Sequence, residues 1–181
     1  MAITNSERVG KAMELLKAGL GPFVEREIKN AYKADAKSQA AIFVGDDRLL
    51  ANKPLSEWDT APLLKLIWES WNDIFRNILG FADRSLVSEL REVRNKWAHQ
   101  SPFSSDDTYR ALDSASRLLN AISATPQSSE LEKLKMDLLR VRFDEQARTD
   151  KRKNFDFLVE GATISHLKPW REVTTPHKDV A

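Results

Sequence analysis

The sequence predicts an all-α protein built as an antiparallel helical bundle, with an extra C-terminal helix and an irregular tail. Three observations predict it. Only 6 glycines and 7 prolines punctuate 181 residues, which is sparse for a chain of many turns. Apolar residues recur at helical spacing over most of the length. The segments between those stretches are short, which favours antiparallel packing of neighbours.

Ser6 can cap a first helix with Val9, Met13, Leu16 and Leu20 on one face. Gly19-Leu20-Gly21-Pro22 is expected to end it, with Pro22 in the first turn of a second helix that carries Phe23, Glu27 and Tyr32. Residues 34–52 are mixed, and Gly45-Asp46-Asp47 marks a turn. A third helix is expected from an Asp59 cap to a stop at Gly80. It carries two adjacent stripes, Leu63-Ile67-Trp71-Ile74-Ile78 and Leu64-Trp68-Phe75-Leu79. A surface this wide must be buried inside a bundle or against a second subunit.

A fourth helix spans about Asp83 to Trp97, with Leu86, Leu90, Val93 and Trp97 inward, and breaks at Gln100-Ser101-Pro102-Phe103. Ser104 and Asp107 stand at capping-box spacing and open a fifth, with Tyr109, Leu112, Ser116, Leu119 and Ile122 on its core face. The expected organisation is a bundle over 1–124, then a linker at Thr125–Ser129 and an accessory helix to about residue 150. Leu131, Leu134, Leu138 and Val141 lie on that helix. The tail over 151–181 has no apolar stripe, and Pro169 and Pro176 forbid a continuous helix there. Trp170 is its expected anchor.

Composition narrows the function. Lys plus Arg is 28 and Asp plus Glu is 27, a net charge of +1, which excludes a polybasic coat for nucleic acid or membrane. There is no cysteine, so disulfides, thiolate zinc sites and cysteine nucleophiles are excluded. No apolar run approaches ~20 residues, so no membrane partner is expected. The first residues show no basic region followed by an apolar stretch, and a cytoplasmic location is expected. His99, His166 and His177 lack a metal-ligating neighbour at one-turn spacing, so neither metal nor cofactor is expected. No phosphate-cradling glycine loop and no Gly-x-Ser-x-Gly elbow is present.

What remains is Arg94-Asn95-Lys96-Trp97-Ala98-His99, closing the fourth helix. At about 100° per residue, Asn95 and His99 differ by a net ~40° and share a face. Arg94 and His99 differ by a net ~140° and converge only if the helix loosens near Ala98. Ser88, Arg91, Asn95 and His99 form a polar stripe. An imidazole exchanges protons near neutral pH, and a guanidinium holds phosphate oxygens with a fork of donors. Cationic last turns are also ordinary helix endings, favoured by the macrodipole alone.

Arg94-Asn95-x-x-x-His99 resembles the signature of the HEPN superfamily, with its shortest permitted spacing. The surrounding Leu86–His99, with Tyr109–Asp113, Gly19–Val24 and the Trp-rich third helix, is similar to the Swt-like branch. The resemblance covers about residues 5–124. It implies a helical homodimer whose two motifs meet in one cleft and cut RNA without metal. Carried over, Arg94, Asn95 and His99 would be catalytic: His99 the general acid or base, Arg94 the stabiliser of phosphate charge, Asn95 the orienting amide. Arg91 and Lys96 would hold the RNA. Some members of the superfamily bind RNA or pair without cutting. Leu167–Val173 and Thr175–Val180 resemble the entry to an ATPase domain, which follows such a domain in bacterial phage-defence proteins. A covalently following or separate ATPase is therefore an implied partner, beside RNA and a second copy.

Overall fold

A computed structural model describes residues 3–45, 50 and 53–161, with side chains through Lys153. The helices are α1 (Asn5–Tyr32), α2 (Ala36–Val44), α3 (Thr60–Glu69), α4 (Phe81–Ala98), α5 (Ser105–Ala121) and α6 (Thr125–Gly161), and no strand occurs among the described residues. The chain divides into two units, residues 1–139 and 140–181. The first is the bundle and carries the site.

α1 is the centre of the bundle and packs against α2, α3, α4 and α5. Its cap is Thr4, two residues before the expected Ser6. The Thr4 hydroxyl accepts from the Glu7 N–H at 3.2 Å, and the Glu7 carboxylate accepts from the Thr4 N–H at 2.7 Å. Val9, Met13, Leu16, Leu20, Val24 and Ile28 form its buried stripe.

The helix does not end at Gly19-Leu20-Gly21-Pro22, and no second helix begins at Pro22. Both glycines serve close packing instead. A Cβ on Gly19 would meet Leu119 of α5, and one on Gly21 would stand 2.7 Å from the Ser56 carbonyl oxygen. Pro22 is exposed, and the carbonyl it cannot reach belongs to Ala18, also exposed, where water can satisfy it.

The expected long third helix stops at Glu69. Turns follow, then a short 3₁₀ segment at Phe75–Asn77. This break folds the second half of the apolar stretch back into the core. Leu63, Leu64, Leu66, Ile67 and Phe75 are fully buried, and Trp71, Ile74 and Leu79 nearly so. Only Ile78 of the two stripes is exposed, with Trp68 half-buried. Most of the wide apolar surface is thus consumed within one chain. The Thr60 hydroxyl donates to the Met13 carbonyl at 2.7 Å and pins the start of α3 to α1.

Side-chain pairs show the helix directions. Glu89–Arg110 and Lys96–Asp107 join α4 to α5 with partner numbers rising on one helix as they fall on the other, so the two are antiparallel. Ser116–Ser128 and Asp113–Lys135 show the same for α5 and α6. α1 and α5 run parallel: Asn5 reaches Ser105, and Gly19 reaches Leu119.

The expected Ser104 cap is present, its hydroxyl accepting from the Asp107 N–H at 3.0 Å. The expected linker at Thr125–Ser129 is instead the first turn of α6. Ser128 is buried there and shares a hydrogen bond of 3.1 Å with Ser116. Leu131 and Leu138 are buried behind it. In the second unit, residues 151–161, expected to be irregular, continue α6 as helix. The remaining tail with Pro169, Trp170 and Pro176 lies outside the described residues, as do Asp46 and Asp47 of the expected turn. Gly45 caps α2 with φ 97°, the left-handed conformation that glycine tolerates best.

Candidate active site

α4 carries Arg94 and Asn95, with His99 as its C-terminal cap, and its register decides which of them share a surface. The helix stays regular to its end. The His99 N–H bonds to the Asn95 carbonyl at 3.1 Å, one ordinary helical turn. Gln100 then takes a positive φ of 54°, and the Gln100 and Ser101 N–H groups bond to the Trp97 and Lys96 carbonyls at 2.9 and 3.1 Å. That pairing is a Schellman ending, which closes the helix without unwinding it. The loosening that would bring Arg94 and His99 together does not occur. Their net separation of ~140° around the axis is retained. Asn95 and His99 share a face, and both are exposed.

Arg91, Arg94 and Asn95 line one open cleft of about 380 Å³, against Val44, Asp59 and Lys65. The cleft brings three cationic side chains to one carboxylate over an apolar floor. Arg91 and Arg94 make no hydrogen bond or close ion pair among the described residues, so both guanidiniums keep their donors. Arg94 also borders a neighbouring cleft with Lys17, Asp59 and Trp97.

Asp59 is common to both clefts. Lys17 donates to it at 2.9 Å. That hydrogen bond, with the charges of Lys17, Lys53 and Arg94, holds its carboxyl below the ordinary carboxylate range. Asp59 was expected to cap α3, and it occupies that position, but its side chain caps nothing and turns to Lys17.

Lys96 lies on the other side of α4. Its ammonium pairs with Asp107 at 2.8 Å and sits 4.7 Å from the Phe103 ring centre. It lines a separate cleft between α4 and α5. Arg91 and Lys96 therefore do not share one surface. Among the described residues, no three His, Asp or Glu side chains are grouped to hold a metal ion. No described helix is long and apolar enough to cross a membrane.

Sequence reasoning missed Asp59, Lys17 and Lys65 beside Arg94. They come from α1 and α3, and no spacing within α4 points to them. It also missed Arg84, whose seven-residue offset from Arg91 was legible as one face.

The fold and site define a class: a helical bundle presenting Arg, Asn and His at the exposed end of one helix, beside a cationic cleft. The Swt1-like HEPN family matches residues 11–123, and the chain belongs to that family. Membership places it among modules of the RNase or nucleotide-binding type. No curated protein and no solved structure matches the chain.

Proposed function

We propose that this chain is a metal-independent endoribonuclease, cutting RNA at a composite site across a homodimer, in phage defence or toxin-like regulation. One observation carries the reading. Arg94 and Asn95 stand on a cleft supplied with cations, Arg91 and Lys65, and His99 is exposed one turn beyond.

The chemistry is internal transesterification. The ribose 2′-oxygen attacks phosphorus as its proton leaves to an imidazole. The 2′-O–P bond forms and the P–O5′ bond breaks, with a proton delivered to the 5′-oxygen. The products are a 2′,3′-cyclic phosphate and a 5′-hydroxyl. His99 serves as base or acid, Arg94 stabilises the charge on the phosphate, and Asn95 orients it. General acid–base help supplies ~10²–10⁴-fold, and electrostatic stabilisation a comparable factor. Arg94 and His99 face apart within one chain, which favours two copies, the His99 of one completing the Arg94 cleft of the other. Arg91 holds a flanking phosphate, and Lys96 another by exchanging Asp107 for it.

The same angular separation also favours a second reading, a non-catalytic dimerisation and RNA-sensing module that governs an ATPase. RNA cleavage with chelator present separates the two. Wild type is expected to yield cyclic-phosphate ends, and His99→Ala and Arg94→Ala to lose the activity with helicity unchanged. Cleavage surviving in purified His99→Ala protein rejects the catalytic assignment. Sedimentation at micromolar concentration is expected to show a dimer.

A further inference from the structure

The N-terminal half of α4 carries a further cleft, on the same helix as the motif but about ten residues away. It has a volume of about 560 Å³ and is bounded by Trp68, Phe81, Arg84, Ser88 and Glu92. That volume is within the range of small-ligand sites. Four observations describe it.

Phe81 opens α4 with 84% of its surface exposed, the most exposed large apolar side chain described in the bundle. The Arg84 guanidinium lies 4.7 Å from the Trp68 ring centre, and the Arg91 guanidinium 5.4 Å from it. The Arg84 Nε is buried and has no hydrogen-bond partner among the described residues. The carboxylate of Glu89, also at this cleft, is engaged by Arg110, while Glu92 makes no such pair among the described residues.

We infer that this cleft holds one unpaired nucleotide of an RNA strand, its base stacked on Phe81 and its phosphate on Arg84. The inference rests on the endoribonuclease reading only for the identity of the strand. Two guanidiniums already stand against the Trp68 ring, whereas Phe81 is largely unburied, so Phe81 is the aromatic side chain with most surface to offer. Every base has a π-face, so a lone aromatic platform takes any base. Arg84 is already oriented by its stacking on Trp68, and its terminal nitrogens, which make no hydrogen bond among the described residues, are the donors left for a phosphate. The mixed charge of the walls is unsuited to a duplex backbone, which calls for uniform cations. It suits a base, whose amino groups donate to Glu92 and whose acceptors meet Ser88. At ~1.5 Å per residue, Arg84 and Arg94 stand ~15 Å apart along α4. They also differ by a net ~80° around the axis, so at the ~3.4 Å rise of a stacked strand the held nucleotide is at least about five from the scissile phosphate.

The test uses the full chain and a fluorescein-labelled 2′-O-methyl octaribonucleotide, which cannot be cut, read by anisotropy across a salt series. Phe81→Ala is expected to weaken binding about tenfold with the salt slope unchanged, and Phe81→Trp to restore it. Arg84→Gln is expected to weaken binding and lower the slope by about one. Phe81 is exposed, so its truncation leaves the core intact. An unchanged affinity in Phe81→Ala, or no binding by wild type, overturns the inference. A dimer that dissociates in Phe81→Ala assigns this face to a second copy and overturns it too. Phe81-dependent binding in a protein that never cleaves RNA rejects the endoribonuclease reading alone. Cleavage with Phe81-independent binding rejects the nucleotide cleft alone.

Discussion

Gly21 of α1 stands so close to Ser56 that a Cβ there would lie 2.7 Å from the Ser56 carbonyl oxygen and 3.1 Å from its Cα. The neighbour is backbone, in the 3₁₀ segment Leu55–Glu57, and cannot swing aside. The contact seats that segment on α1 just before α3 begins, and so helps place Asp59 against Lys17 and Arg94.

Gly21→Ala is therefore expected to destabilise the fold. Overpacking costs ~1–3 kcal/mol, and the gain of alanine over glycine in a helix offsets up to ~1 of it. A denaturant melt should show a net loss of about 1–2 kcal/mol. A more stable variant would mean that the Ser56 backbone shifts freely.

RNA binding should distinguish the two flanking cations. Arg91 carries no anionic partner among the described residues, whereas Lys96 is neutralised by Asp107. Arg91→Gln should lower the slope of log K against log salt by about one. Lys96→Gln should lower it by less, because releasing Asp107 offsets the phosphate gained. Anisotropy with a labelled single-stranded RNA across a salt series checks both.

Acid should loosen the region around the site. Asp59 is held below its ordinary value of 3.8, first by the Lys17 hydrogen bond. A carboxyl depressed on folding contributes stability that is complete above its unfolded pKa. That contribution is lost as pH falls through the folded value. The melting-temperature difference between wild type and Asp59→Asn should therefore be constant above about pH 5 and shrink as pH falls below about 4. This comes on top of the acid loss that the other depressed carboxylates, Glu7, Glu25, Asp107 and Glu132, share in both chains. Since the Asp59 side chain is mostly exposed, its share of the change should be small. An identical acid slope in wild type and variant would show that the pair contributes nothing.

Two truncations should differ sharply. Ending the chain after Ala124 removes Leu131 and Leu138, both fully buried, and strips Ser116 of its Ser128 and Glu132 partners. At ~1.5–3 kcal/mol for each buried leucine, the loss should be about 3–6 kcal/mol. Deleting 151–181 should cost less than ~3 kcal/mol, since Lys151, Arg152 and Lys153 are exposed and the rest has no apolar stripe. Denaturant melts of the three chains side by side measure both losses.

Much of this was legible in the sequence, and for local reasons. The period of Leu86, Leu90 and Val93 and the Ser104–Asp107 spacing place α4 and α5 to within a few residues. Helix periodicity and capping depend on neighbours only a turn or two away. The motif Arg94-Asn95-x-x-x-His99 was visible because it lies within one helix, and its angular arithmetic held because α4 closes without unwinding. Tertiary contact decided the rest. Gly19-Leu20-Gly21-Pro22 carries every local sign of a helix end, yet α1 runs through it. Leu119 and Ser56 need the missing side chains there, and Ala18 is open to water. The continuous apolar stretch over 63–79 says how much must be buried, not how. The chain breaks at Ser70 because folding back covers more of that surface than one straight helix could. Lys17, Asp59 and Lys65 join Arg94 only because α1 and α3 meet beside α4. That is a fact of packing between residues tens of positions apart, which no spacing along the chain encodes.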